Sequence, residues 1–115
     1  MHRLFLGKTC VLENVKLCST FLQNLQGLMF AKKLKKNEGI LLDCREESVL
    51  HTAIHMLFVF QAIDAIWLDE KMRVVDIKRG LKPFTLFHKP KAKARYVLEV
   101  AESGQFKEGQ QLRIS

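Results

Sequence analysis

At 115 residues, with 19 basic and 12 acidic side chains, the chain has room for one domain of ordinary size and not for two. Its 48% hydrophobic content supplies a core without disulfides or metal, because a chain of this length buries roughly 65% of its extended surface. The longest apolar run, Met56–Leu68, is broken by Gln61 and Asp64 and is too short to span a bilayer. Met1–Gly7 lacks the apolar region and cleavage site of a secretory signal, and three cysteines without Cys-x-x-Cys spacing fit a reduced, cytoplasmic setting with buried thiols.

Met1–Leu6 reads as a short first strand. Lys8–Leu17 reads as a second, with Val11, Leu12, Val15 and Leu17 as its apolar members and an irregularity near Glu13-Asn14. A helix is expected next. Ser19 or Thr20 can cap it, Thr20 and Gln23 have capping-box spacing, and Phe21, Leu22, Leu25, Leu28 and Met29 fall on one face before or around Gly27. Lys32–Asn37 is a basic loop, and Glu38-Gly39 leads into a strand at Ile40–Cys44, followed by a polar connection at Arg45–Ser48. Thr52–Phe60 reads as extended, with partial helix as the alternative.

Ala62–Leu68 is the centre of the pattern. Apolar residues occupy both parities, Ile63, Ala65 and Trp67 against Ala62, Ile66 and Leu68, so this strand is expected to be covered on both faces. Asp69-Glu70-Lys71 breaks the run and Met72–Ile77 resumes it, which predicts a hairpin. Pro83 and Pro90 bracket a long loop that cannot be a central strand. Tyr96–Ala101 is a strand with Tyr96, Leu98 and Val100 on one face, and Gln111–Ile114 is the last. The expected class is α+β and mainly β: a small barrel-like or strongly curved antiparallel sheet of about six or seven short strands, with one helix in the N-terminal half.

Two carboxylates interrupt apolar strands, Asp64 and Glu99. If both point inward, desolvation raises their pKa values and one can serve as a general acid; the alternatives are structural hydrogen bonds or a face turned to water. His51-x-x-x-His55 puts two rings on one face of a helix or strand, but with Cys44 seven residues upstream of His51 the set matches no common zinc pattern, and no metal or cofactor is expected. No phosphate-binding glycine loop and no serine in a nucleophile elbow is present.

The net charge of +7 is concentrated. Lys32, Lys33, Lys35 and Lys36 form one cluster; Lys78, Arg79, Lys82, Lys89, Lys91, Lys93 and Arg95 form another with no acid between Lys78 and Arg95. Phe84, Phe87 and His88 interleave with the second cluster, so rings that stack bases alternate with cations that track phosphates. The competing reading packs Phe84 and Phe87 back as a hydrophobic lid over solvated lysines.

The order of several short motifs, Gly27–Phe30 (GLMF), Gly39–Leu42 (GILL), Ile54–Asp69 (IHMLFVFQAIDAIWLD), Arg95–Val100 (RYVLEV) and Glu108–Leu112 (EGQQL), resembles domain-of-unknown-function family 192, also called uncharacterised protein family 0127, and its archaeal, thermophile-like branch. The chain departs from the family pattern in three places. An Arg before the Gly-Leu-Met element is absent from Leu22–Gln26, the usual Trp-Met-Lys-Asn reads His55-Met56-Leu57-Phe58, and the usual Gly-Asp reads Gly109-Gln110. The resemblance implies a small β-rich domain and brings no established activity. The expectation is therefore a binding domain for an anionic ligand or nucleic acid, met through the basic loop 78–95; the alternative is a small enzyme built on His55, Asp64 and Glu99.

Overall fold

The computed structural model describes residues 2–20, 33–49, 52–53, 56, 59–85 and 88–115. They form seven strands: β1 (His2–Leu6), β2 (Thr9–Cys18), β3 (Glu38–Ser48), β4 (Ile63–Leu68), β5 (Val74–Leu81), β6 (Ala94–Val100) and β7 (Leu112–Ile114). They make one sheet in the order β5-β4-β6-β3-β2-β1-β7. The helix expected between Thr20 and Met29 falls largely on residues outside those described.

Local chemistry sets each pairing. Gly7, at φ +62, turns β1 into β2, a left-handed backbone that glycine adopts without a Cβ penalty. The irregularity expected at Glu13-Asn14 is a bulge: His2 pairs with Val15 but Leu4 with Leu12, and the Glu13 and Asn14 amides both donate to the Asn37 carbonyl. The hairpin β4–β5 is closed by Asp69, whose Oδ1 accepts the amides of Lys71 and Arg73 at 2.9 Å each.

The sheet departs from the expected pattern in three respects. β2 and β3 are parallel, and parallel neighbours need a crossover rather than a tight turn. β3 runs on through the expected polar connection to Ser48, because Arg45 at φ 67 forms a bulge whose amide is taken up by Asp43 Oδ1. The described residues of the 52–60 segment belong to no strand: Val59 N–H turns back to the Met56 carbonyl, and Met56 bonds the Thr85 carbonyl and the Phe84 amide.

The sheet curls until its two edge strands meet. Gly109 N–H donates to Val74 O, Val74 N–H to Gln110 O and Leu112 N–H to Met72 O, with a bridge between Arg73 and Gln111. The inner face draws on all seven strands, with Leu4, Leu12, Val15, Leu41, Ile66, Leu68, Val74, Leu98, Val100 and Leu112 around Phe106. Gly39 lies there because a Cβ would come within 3.1 Å of Leu12 and 3.3 Å of Leu98. The outer face of β2 to β6 carries a second core: Cys18, Ile40, Leu42, Ile63, Ala65, Trp67, Leu81, Ala94 and Val97, covered by Met56 and Val59. Trp67 is wholly buried, with its indole N–H donating to the Thr52 carbonyl at 2.7 Å. Covering on both faces is what the doubled apolar parity of β4 demanded.

Candidate functional site: a covered sheet face and its aromatic rim

The strand registers place five side chains in one cross-strand row on the outer face: Lys16, Ile40, Glu99, Ala65 and Lys78, from β2, β3, β6, β4 and β5. Glu99 is the middle member, between an isoleucine and an alanine. It is 3% exposed and, among the described residues, its Oε1 has no hydrogen-bond partner. Burial pushes its carboxyl up to about 7, since an apolar surround penalises the charged form. Cys18 lies on the same face beside Leu42. Burial raises its thiol, Lys16 opposes that rise and Glu99 adds to it. At the far end of the row the Lys78 ammonium sits 5.8 Å from the centroid of the Trp67 ring.

Asp64 lies one residue before Ala65 and therefore points to the inner face, where its partner across the sheet is Val100. Both of its oxygens are occupied: Oδ1 accepts the Gly80 amide at 2.8 Å and Oδ2 the Ser103 hydroxyl at 2.7 Å. Arg79 Nε donates to the same hydroxyl at 2.9 Å, and its Nη2 reaches the carbonyls of Ser103 and Phe106. This node ties the bulged end of β5, at Gly80 with φ +67, to the loop after β6. Asp64 and Glu99 do not meet, and His55 lies outside the described residues. Ser103 was not singled out from the sequence; a lone serine before a glycine carries no signal of the arginine and aspartate it joins.

Much of the basic segment is engaged within the fold. Besides Arg79 and Lys78, Arg95 makes a two-pronged contact with Asp43 at 2.9 and 3.1 Å. Burial by itself would raise the Asp43 carboxyl, but the hydrogen bonds from Arg95 and the Arg45 amide outweigh it and hold the group low. The Lys91 amide donates to Asp76 Oδ2 and its ammonium pairs with Glu108. His88 Nε2 and Thr85 Oγ1 lie 2.7 Å apart, and burial, then Lys78, pushes the imidazole down. Lys82, Lys89 and Lys93 are exposed; Phe87 lies outside the described residues.

Phe84 does not fold down as a lid. It is 50% exposed, at φ 63, and meets Phe60, 61% exposed, edge to face with ring centroids 5.1 Å apart. Phe60 also borders an open depression of about 370 Å3 lined, among the described residues, by Lys33, Phe60, Gln61 and Ala62. Gln61 Oε1 accepts the Leu34 amide at 2.8 Å, which joins the 33–34 segment to this rim. The depression opens where the chain enters β4. Phe60 escaped notice in the sequence because it sits inside an apolar run that reads as core.

The family model of DUF192, described as an uncharacterized ACR, matches residues 6–114. UPF0127 proteins of Thermococcus kodakarensis and Thermococcus sibiricus are 39% and 38% identical to this chain over 85 residues, 74% of it. The chain spans about half the length of these relatives, 52% and 53%. A Pyrococcus horikoshii UPF0127 protein is 35% identical over 74% of this chain and 70% of its own. Two solved structures share the fold. A Sinorhizobium meliloti protein described as a candidate transcription regulator has TM-score 0.83 and 21% identity, over 97% of this chain and 90% of its own. A Novosphingobium aromaticivorans protein of unknown function has TM-score 0.75 and 20% identity, over 86% and 73%. The ordered motifs, the curled sheet and the match across nearly the whole chain agree: this chain belongs to domain-of-unknown-function family 192, the UPF0127 proteins.

Proposed function

We propose that the chain is a non-catalytic binding domain that takes an anionic ligand with a flat ring at the depression beside Phe60. The observation that carries this reading is the exposed pair Phe60–Phe84. Leaving half of an aromatic ring in water forgoes roughly 1 kcal/mol of burial. A non-glycine residue in the left-handed region costs about 1–2 kcal/mol more, and Phe84 bears both costs. A ligand ring stacked on the pair offsets them. Lys33 at the depression and Lys82, two residues from Phe84, are exposed and place positive charge beside the pair, which favours an anion. Catalysis by paired carboxylates has less support, since Asp64 is fully hydrogen-bonded on the opposite face from Glu99.

The test is a fluorescence titration with an anionic naphthalene dye. Binding is expected at low salt, and Phe60→Ala or Lys33→Gln should weaken it by about tenfold, the loss of roughly 1.4 kcal/mol of contact. A labelled oligothymidine run in parallel separates small ligands from single strands: phosphate contacts give a log–log salt slope of about −0.7 each. Binding of the oligonucleotide alone would move the reading to nucleic acid along Lys82, Lys89 and Lys93. Binding of neither would overturn it.

A further inference from the structure

We propose that the Glu99 carboxyl is the inner anchor of this site, a hydrogen-bond donor that takes an acceptor oxygen of the ligand, such as an amide or ketone carbonyl. The inference deepens the binding reading above and rests on it. Its ground is an unsatisfied group: Glu99 is 3% exposed, centrally placed in the sheet, and its Oε1 has no partner among the described residues. A buried polar oxygen left unpaired costs about 1–3 kcal/mol, a cost that a ligand would offset.

The placement favours access from the depression. Ala65, directly opposite Glu99, is the smallest side chain of its row, and Ile63 continues the same face toward Ala62 and Phe60. Ala62 lies three residue steps before Ala65, about 10 Å along the chain. Among the described residues, this face is covered by Met56 and Val59, which belong to no strand.

The charge around Glu99 selects the partner. From β2 the facing groups are Lys16 and Cys18, from β3 Glu38, from β5 Asp76 and Lys78, and from the following loop His88 beside Lys78. The two charged members of its own row are both lysines, so a cationic ligand is disfavoured. The neutral acid, which burial favours, donates a proton to an uncharged or anionic oxygen. Burial pushes the His88 imidazole below its ordinary value and the Cys18 thiol above its own.

The experiment is a ligand-observed NMR titration of the intact chain with benzamide, and with benzylammonium as its cationic counterpart, at about pH 6 and about pH 8. Around a carboxyl at about 7, the protonated fraction falls about tenfold between those conditions. Benzamide affinity should fall about tenfold with it, and Glu99→Gln, which keeps an N–H donor, should bind almost equally at both. Benzamide binding that ignores pH, or benzylammonium binding that tightens as pH rises, overturns the proposal. If Glu99→Gln does not fold, the 13C carboxyl resonance of Glu99 in the unaltered chain serves instead: it should move on adding benzamide at about pH 6, and a fixed resonance also overturns the proposal. Dye binding with no Glu99 response leaves the aromatic rim standing and removes only the anchor; absence of dye binding removes the rim itself.

Discussion

Asp64 and Glu99 stand one residue out of register on neighbouring strands, and so face opposite sides of the sheet. The inward carboxylate has both oxygens bonded, by Gly80 and Ser103; the outward one has an oxygen with no partner among the described residues. One sheet thus assigns a structural role to the first and leaves the second chemically open.

Stability should depend on pH through Glu99. Its folded carboxyl is raised to about 7 from 4.5, so the unfolded chain releases the proton first. The folded state then holds more protons, and stability falls as pH rises from about 4.5 through about 7, levelling off above. A shift of this size corresponds to about 3 kcal/mol. Denaturant midpoints across that window should show the decline, and Glu99→Leu should abolish it. A midpoint that does not fall through the window would contradict a buried, partnerless carboxyl.

The Asp64–Ser103–Arg79 node should behave as a structural clamp. Ser103→Ala removes the hydroxyl between carboxylate and guanidinium and should cost about 1–3 kcal/mol in urea unfolding, as for buried polar groups left short of a partner. Dye binding by the folded variant should be unchanged.

Trp67 anchors the outer core. Trp67→Ala should destabilise by about 3–5 kcal/mol. Trp67→Phe fills much of the space but leaves the Thr52 carbonyl without its donor, a loss of about 1–3 kcal/mol. Thermal unfolding of the two variants would rank them, and a Trp67→Phe variant as stable as the unaltered chain would remove the hydrogen bond from the account.

Phe84→Gly separates stability from binding. Glycine relieves the left-handed backbone at φ 63 and sacrifices a ring that is half exposed. Stability should rise by up to about 1 kcal/mol, while dye affinity falls. A variant that is markedly less stable would restore the lid role for this ring.

Period and composition by themselves determined a good part of this protein. The doubled apolar parity of Ala62–Leu68 required cover on both faces, the Asp69–Lys71 break required a hairpin, and the ordered motifs pointed to the family; each is a local or near-local property of the chain. The parallel β2–β3 pair was not legible, because strand direction depends on the path of the intervening chain and not on the residues that pair. Nor was the division of labour between Asp64 and Glu99. Which face a carboxylate takes is set by register, and register is a relation between strands distant in sequence. The acid-free run Lys78–Arg95 was visible as charge, but only folding brought Asp43, Asp76, Glu108 and Ser103 to its members, leaving Lys82, Lys89 and Lys93 at the surface. Phe60 and Phe84, apolar letters in the sequence, are exposed because the loops bearing them meet at Met56 above the outer core.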